Sequence, residues 1–131
     1  MPVPPTAIYQ GPLFRILDKR KCEISFVYET PNREFERAVL HFHNTESFKC
    51  TYLYSLGSID RSLRVEAYGN LVSVTTDDWL KKVTESYLEY CKIARIAPHD
   101  LQQMVIVFDD GPCFEIICTR FELTNHSIHD N

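Results

Sequence analysis

Apolar and polar residues alternate along most of this chain. In "KCEISFVYE", Cys22, Ile24, Phe26 and Tyr28 alternate with Glu23, Ser25, Val27 and Glu29, the period-two signature of a half-buried strand. "RAVLHFH" repeats it with Ala38, Leu40 and Phe42 on one side, and "FKCTYLYSL" with Phe48, Cys50, Tyr52 and Tyr54. "LFRIL", ahead of the charged turn "DKRK", predicts a strand before them. The links "TPNRE" and "NTE" are short and turn-like, so the successive strands are expected to form an antiparallel meander.

Residues 58–75 are ambiguous in pattern. Gly69-Asn70 is a two-residue turn signal, and "LRVEAY-GN-LVSVT" fits a hairpin around it. Ile59, Leu63 and Ala67 recur every four residues, which fits a helix. The hairpin is the expectation adopted here. One principal helix is predicted over about 76–94. Thr75 to Asp78 fits a capping box, Asp77 and Asp78 meet the positive end of the helix dipole, and Leu80, Val83, Tyr87, Leu88 and Cys91 form an apolar stripe. Pro98 opposes continuation past Ala97.

The densest apolar stretch is "MVIVFDDGPCFEIICTRFEL", residues 104–123. Asp110-Gly111 is a strong hairpin signal. With those two as the turn, Phe108 faces Cys113 and Ile106 faces Glu115. Both faces of this C-terminal hairpin are apolar, so it should lie centrally between layers. The fold class expected is α+β: a mainly antiparallel sheet covered by one helix. One domain spans 1–131, with residues 1–7 as an extended arm stiffened by Pro2, Pro4 and Pro5, and 124–131 as a flexible tail.

Composition narrows the class. With 44% apolar and 12% aromatic residues, the chain can bury a core without staples. The net charge of −4, with Lys and Arg scattered, argues against a nucleic-acid surface. No apolar run approaches the ~20 residues of a membrane span. The start shows no charged region followed by an apolar one, and five cysteines is an odd count; free thiols in the cytoplasm are therefore expected.

Candidate chemistry is sparse. Asp109 and Asp110 are favoured turn residues, and in the expected register neither shares a face with Glu115. His41 and His43 fall on one face at period two, but Leu40 and Phe42 take the core side, so both imidazoles should face water. They are weak metal candidates needing a third ligand from His99, His126 or His129. No glycine-rich phosphate loop or nucleophile elbow occurs, and no cofactor is expected. Trp79 should serve packing. Glu115 is the exception, a carboxylate between Phe114 and Ile116. It must find a partner, line a pocket or stay protonated; a structural pairing with Arg120 or another strand's arginine is the expectation.

"PPTAI" at 4–8, Leu71 to Leu80, and Phe108 to Glu122 together resemble segments of a group of small uncharacterised bacterial proteins. Pro112 departs from the pattern. That resemblance implies no activity and no site residues. Together these features lead us to expect a non-enzymatic, intracellular protein-binding module. One form would be a small acidic immunity protein that neutralises a toxin. Asp77, Asp78, Asp109 and Asp110 are its candidate binding surface. The alternative is a small enzyme or ligand-binding protein with a pocket around Glu115 and the histidines.

Overall fold

The computed structural model describes residues 1–4, 10–52, 63, 66–108 and 111–128. Its strands are β1 (Gln10–Leu17), β2 (Lys21–Glu29), β3 (Phe35–His43), β4 (Ser47–Thr51), β5 (Val72–Val74), β6 (Gln102–Val107), β7 (Cys113–Cys118) and β8 (Arg120–Ser127). One long helix, α1 (Asp78–Ala94), separates β5 from β6. The expected α+β class, antiparallel pairing, principal helix and C-terminal hairpin are all present.

Two four-stranded sheets form, not one, in the orders β1-β2-β3-β8 and β4-β7-β6-β5. The link "NTE" is therefore a corner between sheets, whereas "DKR" and "TPNRE" join paired neighbours. At the corner Asn44 has φ 51 and donates its side-chain amide to Thr119 Oγ1, and the Thr119 hydroxyl donates to the His43 carbonyl. The ribbon β3–β4 thus stays paired with β7–β8 as both bend from one sheet into the other.

The facing sides of the sheets make the core. Cys22, Ile24, Phe26, Ala38, Leu40 and Phe42 meet Met104, Ile106, Phe108, Phe114, Ile116 and Cys118. Phe26 packs edge-on to Phe108 at 5.0 Å between centroids, and Phe108 to Phe114 at 5.9 Å. The alternation in β2 and β3 anticipated this face correctly. At the start of β1, Gly11 has φ +108, and a Cβ there would lie 3.0 Å from the Ser25 carbonyl oxygen. A side chain would push β1 off β2.

The hairpin register differs by one residue from expectation. Val105 pairs with Glu115 and Val107 with Cys113. The loop is longer than a two-residue turn: the Gly111 N–H donates to the Phe108 carbonyl, and the Phe108 N–H to that of Pro112. A slip of one residue turns every side chain of one strand over relative to the other. Glu115 consequently shares the outer face of its sheet with Gln103, Val105, Cys113 and Ile117.

That outer face is covered by helical chain. Ahead of Gly69 the expected strand is absent among the described residues; Leu63 and Glu66 are helical, and the Ala67 N–H donates to Leu63. Ala67 is buried against Val105, Val107 and Cys113, which is what the four-residue spacing of Leu63 and Ala67 provides. Only the second half of the expected hairpin, β5, is a strand. The polar end is laddered to β3 through Ser127, so residues 124–127 are strand where a flexible tail was expected. The N-terminal arm bridges Pro2 to Asn70. No helix is long and apolar enough to cross a membrane, among the described residues.

Candidate functional site

Helix α1 begins at Asp77, two residues beyond the expected Thr75 cap. Asp77 is extended (φ −78, ψ 137) and its Oδ1 accepts the Trp79 N–H at 3.1 Å. Its other oxygen accepts from Gln103 Nε2 at 2.8 Å, and the same amide donates to Glu115 Oε1 at 3.4 Å. Asp wins the cap because a carboxylate serves the helix and the sheet at once. Lys49 lies directly across the ladder from Glu115, with Nζ 4.0 Å from the Trp79 ring centroid.

Glu115 is 7% exposed and Gln103 fully buried. Burial pushes the Glu115 carboxyl above the usual carboxylate range; Lys49 opposes this and Asp77 reinforces it. The partners are Gln103 and Lys49, not the expected arginine. Gln103 must point its nitrogen between the carboxylates, because the flipped amide would set oxygen against oxygen; its own Oε1 is left without a partner. This cluster ties α1 to the sheet.

His41 and His43 share the outer face of the other sheet, as the spacing implied, with His126 nearby. His41 Nε2 lies 3.1 Å from Thr124 Oγ1, and His43 Nε2 3.0 Å from Glu122 Oε1, which holds the Glu122 carboxyl below its ordinary range. Among the described residues no three His, Cys, Asp or Glu side chains are grouped to hold a metal. Glu115 and these histidines therefore stand on opposite outer faces of the sandwich. Asp78 is exposed in the first turn of α1. Asp109 and Asp110 lie outside the described residues. Their neighbours Phe108 and Gly111 close the hairpin at the far end of β6 from Gln103, roughly 17 Å along the strand.

A third region was not anticipated. β4 is an edge strand, pairing among the described residues with β7 alone. Phe48, Cys50 and Tyr52, which alternate as the apolar side of a half-buried strand, are exposed, Phe48 at 44% and Tyr52 at 67%. Alternation marks a face but not whether anything covers it. Three cavities of ≈ 380, ≈ 280 and ≈ 430 Å³ adjoin along this strand, the first two sharing Arg20, Glu46 and Ser47 and the last two Phe48. They make one groove. Its walls are α1, through Lys82, Tyr87 and Tyr90, and β1, through Phe14 and Ile16. Phe14 bridges Phe48 and Phe114 at 4.7 and 5.7 Å. Ile16, on the core-facing side of β1, is nonetheless 70% exposed. Cys50, in the groove, is the one exposed thiol of five, all free. Burial pushes Cys113 and Cys118 up to about 12, leaving them unreactive.

No family model, curated protein or solved structure matches this chain.

Proposed function

We propose that this protein is a non-enzymatic binding module for a partner protein, with the groove along β4 as its docking site. The carrying observation is that Ile16, Phe48 and Tyr52 expose apolar surface beside β4, a strand edge that is unpaired among the described residues. Exposed apolar surface rimmed by polar side chains marks an interaction site. The Gln103 amide donates to both Asp77 and Glu115, a tie between α1 and the sheet, which favours a structural role for these carboxylates. The immunity type, a small protein that neutralises a toxin by holding it, is one form of this function.

A photo-crosslinking side chain placed at Ile16 in the native cell tests it, with His126 on the far sheet face as the control. A discrete adduct from Ile16 and none from His126 is expected. Absence of adducts at both positions, or the same adducts at both, would overturn the proposal.

A further inference from the structure

The two walls of the groove differ in chemistry, and a sheet edge sorts side chains between them. Along β4, Phe48 and Cys50 point toward the interior, beside Phe14 and Ile16, because they pair with Ile116 and Phe114. Ser47 and Lys49 point the other way, toward α1, because they pair with Ile117 and Glu115. On the α1 side stands Lys82, and Arg20 and Lys21 bound the groove near Glu46, while Lys49 is engaged by Glu115 and the Trp79 ring. Arg20 is held by Glu46 at 3.0 Å, so that pair is locally neutral. The remaining charge on the groove is positive, in a chain whose net charge is −4.

From this geometry we infer that the groove takes an extended segment of the partner, added to β4 as a further antiparallel or parallel strand, with apolar side chains alternating with acidic ones. This rests on the partner-binding reading above. The backbone groups of β4 that do not face β7 supply the main-chain hydrogen bonds, and the two walls supply specificity. Successive side chains of the added strand fall alternately to either side. One set packs on Phe14, Ile16 and Phe48. The other meets Lys82 on the α1 wall. A basic segment would meet like charge on that wall, and a helix could not use the strand edge at all.

The test is a selection of random ten-residue phage-displayed peptides, of the order of one strand with its flanks, against the intact chain. Enriched peptides should alternate apolar and acidic residues, slow alkylation of Cys50, and protect backbone amides within Ser47–Thr51 from hydrogen exchange. N-methylation of alternate peptide amides should abolish binding in one phase and spare it in the other, since only one set faces β4. Lys21→Glu with Lys82→Glu should weaken the selected peptides at least tenfold. Peptides that enrich but leave Cys50 alkylation unchanged, or tolerate N-methylation in both phases, would overturn strand addition while partner binding stands. If nothing enriches above background, both fall. If Cys50 of the free chain becomes shielded as its concentration rises, a second copy occupies the edge and the inference is likewise overturned.

Discussion

Gln103 donates its side-chain amide to two carboxylates, and much of the outer-face chemistry depends on that one residue. Replacing it with Met keeps the volume and removes the donor, leaving Asp77 and Glu115 without it. Gln103→Met should cost about 1–3 kcal/mol, measured by urea denaturation. Glu115 adds a pH dependence. Its carboxyl binds a proton more tightly folded than unfolded, because burial penalises the charged form. Below the unfolded pKa both states are protonated and nothing is lost. As pH rises toward and through the folded pKa, ionisation weakens the fold. Glu115→Gln removes this titration, so the variant should gain stability relative to the parent between about pH 4 and pH 7. An equal difference at both pH values would show that Glu115 ionises freely. Glu115 stood out in the sequence as a carboxylate among apolar residues. Its partners did not, because Gln103 and Lys49 reach it only through the ladder of β6, β7 and β4.

At the scale of elements, local signals served best where apolar residues alternate with polar ones. That alternation marked the core residues of β2 and β3, although Ser25, Val27 and Val39 on the opposite face are buried as well. In α1, Leu80, Tyr87 and Cys91 are buried, but Leu88 from the same expected stripe is 46% exposed. A stripe drawn on a helical wheel is wider than the strip of sheet it covers. The β6–β7 hairpin was misregistered because both its faces are apolar, so alternation could not distinguish two registers one residue apart. The cap is testable at this scale. Asp77→Ala should lose about 0.5–2 kcal/mol from the cap alone, with Asn retaining part of it. Helical circular dichroism through the urea transition would report the change. Equal midpoints for the parent and both variants would mean that α1 holds without its cap.

Across the whole molecule, one aromatic row runs from the buried core to the exposed groove. Phe26 and Phe108 lie deep between the sheets, while Phe48 opens to the groove. Phe26→Ala should therefore cost about 3–5 kcal/mol. Ile16→Ala, at a position 70% exposed, should change stability by no more than about 0.5 kcal/mol. Comparable losses from the two would show that Ile16 is part of the core and the groove is closed in solution. This separation lets the groove be altered without unfolding the protein that carries it.

The sequence by itself determined the antiparallel strands, the principal helix ahead of the C-terminal hairpin, and the core faces of β2 and β3. Each follows from contacts within a few residues, where a period of 2 or 3.6 is a direct consequence of backbone geometry. Tertiary structure alone decided that the strands divide into two sheets at Asn44 and Thr119, that β7 turns Glu115 outward toward α1, and that β4 is an edge. Those outcomes depend on which distant segment arrives alongside. Phe48 and Tyr52 carry the same apolar alternation whether or not another strand covers them, so the groove became visible only when the sheet's last strand was known.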